Sequence, residues 1–470
     1  MWLDARKSLV LRALILIIML VLPACGSLGG QTQDDSAAVT YNQGVDLFNQ
    51  GDYQQAIDAF DSAIELDPDF ADAYFNRGIA HYRLGNYQST VLDMDEAIRL
   101  DPNDRAAYYA RGLAYHSLGD AESALADFDQ AIALGQETAE AYYNRGKVQL
   151  ELGNLEAAVS DLSIAIGLDP NLLAAYTTRA AAYYELGELE AYIADLTVLI
   201  GSDPSVAEAY YRRGLAHRSL GDQQSAREDL VQALTIDPTL TDAYLRLGII
   251  DYEMGDYQTA LESLTKALEL DPQLALAYYY RGLVNYELGE LQAALADFDG
   301  CLVEDPENAK AYLGQGIIYY DEGDLAAAEA ALTSAIQLDP SLAEAHKVRG
   351  LVFLQQENYE AALADFQQAI SLAPDDPIAY YYLGNALYKL GRWEEAIEAL
   401  NTALALDSEF SQVYGTRSLV HHELGDQEQA MIDCRLYYAD WRDPTLEHGG
   451  GFGDIAQASI RICREYIELE

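Results

Sequence analysis

Basic residues are scarce: 28 Lys and Arg stand against 77 Asp and Glu, a formal net charge of −49. Lysine occurs only six times. Attraction to nucleic acid or to an anionic membrane surface is excluded as a general property, because the fields repel. Catalytic signatures are missing as well. None of the seven histidines falls in an HExxH arrangement, and there is no CxxC, P-loop or GxSxG motif. His421 and His422 are adjacent, and neighbouring helical side chains diverge, so they do not form a metal site. Asp67-Pro68-Asp69 lacks EF-hand spacing and reads as a solvated turn. The glycine-rich stretch Gly449 to Gly453 has no preceding strand to make it a nucleotide loop. The reading is therefore a non-enzymatic chain with no metal and no small-molecule cofactor, with an enzyme whose chemistry carries no recognisable motif as an alternative, which would need convergent titratable groups in a closed pocket.

Against these absences stands one regularity. Glycine falls at 51, 85, 119, 153, 187, 221, 255, 289, 323, 391 and 425, a 34-residue step without insertion, and only Glu357 breaks the series. A fixed period of this length marks a supersecondary unit that must stack on its neighbours to bury its apolar face. One array is therefore a better expectation than three globular domains, and the 50% apolar content is ample for its core.

Within residues 71–104, Ala73, Tyr74, Arg77, Gly78, Ala80 and His81 mark one helix, and Val91, Met94, Ala97 and Ile98 a second. Gly85-Asn86 ends the first, glycine accepting the left-handed conformation, and Asp101-Pro102 stops the next. Small residues at Gly78, Thr90 and Ala97 allow close approach of the helices. In residues 173–206 the same columns hold Ala180, Tyr192 and Leu199, which predicts a local splay that changes the superhelix pitch. Gly135-Gln136 and Ser408 replace the Asp-Pro stop, and Glu357 costs about 1 kcal/mol if it keeps the left-handed conformation.

Comparing units within the chain reveals a pairing. Arg77, Arg111, Arg145, Arg179, Arg213, Arg281, Arg349 and Arg417 are each followed sixteen residues on by Asp93, Asp127, Asp161, Asp195, Asp229, Asp297, Asp365 and Asp433. Where the arginine is missing, at Gln43, Leu247, Gln315 and Leu383, the partner is Ala59, Ser263, Ala331 and Ala399. This predicts a partly buried structural ion pair between the two helices of each unit, since an unpaired charge there is costly.

The small residue at Gly78, the Leu84-Gly85-x-Tyr87 turn, Ala97 and Pro102 resemble the tetratricopeptide repeat, and the resemblance spans twelve units, residues 37–444. It implies an all-α fold, a right-handed α-solenoid of twelve 34-residue hairpins whose first helices line a concave groove for proteins or peptides. The partner-facing columns would be those of Asp72, Phe75, Asn76, Ile79, Tyr82 and Arg83. Across the units they hold eleven acidic and eight basic residues, so most of the acidity lies elsewhere. They also carry fourteen tyrosines, among them Tyr109, Tyr143, Tyr184, Tyr211, Tyr252, Tyr279, Tyr286, Tyr320, Tyr381 and Tyr388. Tyrosine offers rigid amphipathic contact at low entropic cost, which suits an extended peptide or a helix. Packing between units is the alternative, and it is favoured for the separate column of Tyr74, Tyr108, Tyr142, Tyr176 and Tyr210. Stacking on a glycan or peptidoglycan is a second reading. Arg212, Arg218 and Arg246 would either grip a partner's carboxylates or pair with Glu208 and Asp242. The lysines and asparagines with which some family members clamp a C-terminal carboxylate are not reproduced.

The two ends differ from the array. Arg6, Lys7 and Arg12 precede the apolar run Ala13 to Leu22, which reads as a secretory signal too short to span a bilayer. Leu22-Pro23-Ala24-Cys25 resembles the lipobox of bacterial lipoproteins, which implies cleavage after residue 24, lipidation of Cys25 and an extracytoplasmic, membrane-anchored location. Plain cleavage and an uncleaved anchor are the alternatives. Residues 25–36 read as a flexible tether. Cys301 replaces an alanine of the repeat and reads as a small buried thiol. Cys434 and Cys463 are candidates for a disulfide in an oxidising compartment. Residues 445–453 read as a hinge. Over 454–470, Asp454 with Gln457 starts a helix whose apolar face, Ile455, Ala458, Ile462, Tyr466 and Leu469, caps the last unit.

Overall fold

Each 34-residue step folds as an antiparallel helical hairpin because its two apolar stripes lie on helices separated by a glycine turn. A computed structural model describes residues 34–440 and 453–468. The first hairpin pairs Asp34–Gln50 with Tyr53–Leu66, and the last pairs Ser411–Glu423 with Gln427–Asp440. One further helix, Gly453–Glu468, follows. Apart from that helix the described residues are helical hairpins, and within each compact unit successive hairpins pack helix to helix. They form two compact units that divide between Asp229 and Leu230, within the Gln223–Ile236 helix. The leader, Cys25 and most of the tether and hinge lie outside the described residues, as does Leu469.

The helix ends follow the local chemistry. Gly85 has φ +78°, and Asn86 N–H donates to the His81 carbonyl at 2.9 Å, closing the first helix's last turn. At the second stop the carboxylate of Asp101 accepts the Asn103 N–H at 3.0 Å, as Asp169 does from Asn171 and Asp237 from Thr239. Aspartate therefore builds the turn that proline only keeps from continuing as helix. Gly135 replaces this stop with a left-handed turn at φ +96°, and Arg105 donates to its carbonyl at 3.0 Å. Glu357 does keep the left-handed conformation, at φ +60°, and among the described residues no other non-glycine has a positive φ.

The small columns are required by packing. A Cβ on Gly112 would lie 2.8 Å from the Phe128 ring, and one on Gly350 would lie 2.7 Å from Phe366. Phe60, Phe128, Phe298 and Phe366, fully buried, fill that position in four hairpins, while Met94, Leu162, Leu264, Leu332 and Leu400 fill it in others. Between residues 173 and 206 the enlarged set packs differently. Tyr192 is 5% exposed and sits with Ala180, Leu196 and Ala216. The Leu173–Leu186 and Leu189–Ser202 helices meet less closely than those of the two preceding hairpins, so the splay is local.

Candidate interaction face

The first helix of each hairpin carries the partner-facing columns, and in eight hairpins an Arg–Asp clasp ties it to the second helix. Arg145 lies across its own unit, with Nε 2.6 Å and Nη2 2.7 Å from the two oxygens of Asp161, which is 3% exposed. The same two-armed geometry recurs at Arg111–Asp127, Arg179–Asp195, Arg213–Asp229, Arg349–Asp365 and Arg417–Asp433, and Arg77–Asp93 and Arg281–Asp297 are paired as well. All eight predicted ion pairs are present. Burial pushes the Asp93 carboxyl up, and Arg77 pulls it back.

The third nitrogen of the guanidinium does something that pairing within a unit does not reveal. Nη1 of Arg111 donates to Asp95 at 2.6 Å and that of Arg145 to Asp129 at 2.8 Å, sixteen residues back in the preceding hairpin. Ser163, Thr197, Thr333 and Asn401 accept from Arg179, Arg213, Arg349 and Arg417. The signal was present in the sequence. Each of these positions bears a side-chain oxygen, and Val231 stands sixteen residues before Leu247, where no arginine needs one. Beneath the clasp, seven of the eight guanidinium groups lie over the ring of the Tyr74 column, 5.4 Å away for Arg77 and Tyr74 and 5.6 Å for Arg145 and Tyr142, while Arg349, whose column residue is His346, lies over Phe353. Those tyrosines pack, as expected.

The tyrosines of the partner-facing columns are tied to one another across hairpins with a 35-residue step. Asn76 donates to the Tyr41 hydroxyl at 2.6 Å, and Asn144 donates to that of Tyr109 at 2.7 Å. Tyr286 donates to Asp321 at 3.0 Å, and Gln355 donates to Tyr320 at 3.1 Å. Tyr82 bonds Ser117 at the same separation. One residue more than the repeat brings a side chain beside the neighbouring column of the next first helix. The rings also pack: Tyr109 on Phe128, Tyr252 on Tyr257 and Tyr280, Tyr279 on Phe298, and Tyr381 on Phe410. Phe75 borders the Ile79 cluster, Tyr143 the Leu162 cluster and Tyr388 the Leu419 cluster. Tyr211 is half-buried. Tyr184 alone of the named set is exposed, at 62%, with its ring centroid 5.3 Å from that of Tyr192. Burial raises the phenol of Tyr279 to about 12, and burial together with Asp321 raises that of Tyr286 to about 12.

Of the three arginines considered for partner carboxylates, Arg212 meets Glu208 at 2.6 Å and Arg246 meets Asp242 at 3.3 Å, within their own helices. Arg218 is half-buried. Cys301 is buried, and its thiol is raised to about 11 by burial.

At the end of the second unit the terminal helix caps the last hairpin, as its apolar face predicts. Cys434 and Cys463 are joined, with their Cα atoms 5.0 Å apart, so the Gly453–Glu468 helix is tethered to the last hairpin. Ser459 donates to the Gly415 carbonyl at 2.9 Å, and the missing side chain of Gly415 leaves room for the Tyr437 ring, 3.1 Å from where a Cβ would stand. Ile455 and Ile462 bury against Leu419, and Tyr388 and Ala458 flank them. Asp454 pairs with Lys389, two hairpin steps earlier. The helix therefore covers partner-facing columns of the last two hairpins as well as their end.

Among the described residues no group of three His, Cys, Asp or Glu is placed to hold a metal, and no helix is long and apolar enough to cross a membrane.

Family models match the repeat along the chain. Tetratricopeptide repeat models match residues 71–104, 139–172, 207–240, 302–343, 347–409 and 386–444, and a TPR repeat model matches 35–85, 112–153 and 248–289. No curated protein matches the chain. Among solved structures, PilF of Pseudomonas aeruginosa is 20% identical, with 49% of this chain and 97% of that one covered and a TM-score of 0.42. A tetratricopeptide repeat protein of Parabacteroides merdae is 21% identical over 55% of this chain and 98% of its own, with a TM-score of 0.41. YrrB, described as a TPR protein with an unusual peptide-binding site, is 25% identical over 39% and 95%, with a TM-score of 0.37. Proteins built of this repeat are generally interaction scaffolds. By its repeated hairpins and by the models that match along its length, the chain belongs to the tetratricopeptide repeat family.

Proposed function

We propose that this protein is a non-enzymatic scaffold that holds an extended or helical segment of a partner protein against the tyrosine-bearing columns of its first helices. The carrying observation is the 35-residue ladder between those columns, Asn76 to Tyr41, Asn144 to Tyr109, Tyr286 to Asp321 and Gln355 to Tyr320. Side chains already held in place lose little entropy when a partner docks, so rigid amphipathic rings give a net gain. The scarcity of exposed rings favours a polypeptide over a saccharide, for which Tyr184 is the single open platform among the named tyrosines. We further propose that the chain works outside the cytoplasm, anchored through lipidated Cys25. The Cys434–Cys463 bond supports an oxidising compartment.

Two measurements test this. The mature protein is expected to begin at Cys25 and to carry acyl mass; a chain starting elsewhere removes the anchor. Cross-linking in membranes, with a photo-reactive residue at Tyr184 or at Leu92 on the second helix, is expected to trap protein partners from position 184 and not from position 92. Equal yields from both would remove the assignment of the face.

A further inference from the structure

The terminal helix shows what kind of segment these columns accept, because the chain places one there itself. Asp454, in that helix's first turn, pairs with Lys389, and Ile455 and Ala458 lie against Tyr388 and Leu419. Lys389 holds the Asp454 carboxyl below its usual range, outweighing the opposing effect of burial in the net shift. The corner that receives the carboxylate is thus a tyrosine followed by a basic residue, the last two positions of a first helix, Pro377–Lys389.

Among the twelve units one other first helix ends in tyrosine and a basic residue, Tyr82 and Arg83 of Ala71–Arg83. The two corners share the same place in the repeat. Lys389 has its carboxylate, whereas Arg83 makes no ion pair with any described residue, in a chain where acidic groups outnumber basic ones 77 to 28. The Nε of Arg83 is buried and meets no hydrogen-bond acceptor. Arg83 as a whole is half-buried and has further guanidinium N–H donors, so a carboxylate can still make a charge-assisted pair with it. Tyr82 is oriented by Ser117 and by the Tyr87 ring at 5.3 Å, so the corner is held before anything binds.

We propose that the Tyr82–Arg83 corner docks the acidic first turn of an amphipathic partner helix, with the carboxylate on Arg83 and the apolar residue after it on Tyr82. This rests on the scaffold reading and adds the partner's chemistry and its point of attachment. The terminal helix itself supplies a probe: a synthetic peptide of residues 453–468 with Cys463→Ser, added to the intact oxidised protein, whose own helix remains tethered at Lys389.

The labelled peptide is expected to bind, and a photo-reactive group at its position 455 is expected to mark residues near Tyr82. Binding should weaken at least tenfold when the peptide carries Asp454→Asn or the protein carries Arg83→Glu, and should be unchanged in Lys389→Gln. Circular dichroism melting of Arg83→Glu checks that the fold is intact. No binding, binding indifferent to Arg83, or loss on Lys389→Gln with labelling near Tyr388 would each overturn the inference. If partners still cross-link at Tyr184 while Arg83→Glu changes nothing, the scaffold reading stands and this attachment point falls.

Discussion

Residues 139–172 and 241–274 are two copies of one hairpin that solve the same packing position in opposite ways. In the first, Arg145 spans Asp161 and Asp129, a charge held by two carboxylates. In the second, Leu247 is 7% exposed, with Ser263 opposite and Val231 where the second acceptor would be. Three positions changed together. Half a clasp leaves a buried charge without its counter-charge, whereas a fully apolar replacement is tolerated, so charge is optional here and pairing is not.

Breaking the comparison gives the largest effect. Arg145→Leu leaves Asp161 buried and unpaired and is expected to cost about 3 kcal/mol of local stability. It would be read as lost amide protection across residues 139–168 in native-state hydrogen exchange. Adding Asp161→Ser, which copies the Leu247 and Ser263 arrangement, should return protection to within about 1 kcal/mol of the parent. Recovery of nothing would mean that the aspartate's packing, and not its charge, is what matters. The reverse graft, Leu247→Arg with Ser263→Asp, is expected to fall short of a native clasp, because Val231 offers no acceptor to Nη1. Val231→Thr should then improve it by about 1 kcal/mol.

A smaller effect separates turn from clasp. In residues 343–376 the clasp Arg349–Asp365 is intact while the turn carries Glu357 at φ +60°. Glu357→Gly should stabilise that hairpin by about 1 kcal/mol without altering the clasp. The smallest effect concerns alkali. Tyr279 has a folded pKa raised to about 12 from 10.0, so its contribution is complete below pH 10 and is lost as pH rises through 12. Tyr279→Phe should move the alkaline unfolding midpoint of the second unit upward, and an unmoved midpoint would assign that transition to other groups.

The hairpin, its turns and the intra-unit clasp were legible because each depends on residues within one 34-residue period, and twelve copies let a pattern be checked against its own exceptions. Leu247 with Ser263 was as informative as Arg145 with Asp161. The second arm of the clasp was present in the residues but hidden by comparing positions inside a unit. The tyrosine ladder was hidden for a related reason: it steps by 35 residues and not 34, and its partners change along the chain, Asn76 and Asn144 in one column and Ser117, Asp321 and Gln355 in another.

What the sequence determined by itself is the local rule: where helices stop, which faces are apolar, and which charge needs which partner. These follow from backbone sterics and from the cost of burying unmet charge, both short in range. Only the tertiary structure decided which carboxylate takes the third nitrogen of each arginine, that the named tyrosines are mostly held by their neighbours, and where the terminal helix lies. Those depend on how one hairpin is set against the next. That setting is the sum of many small packing preferences along the stack, none of them local to a single repeat.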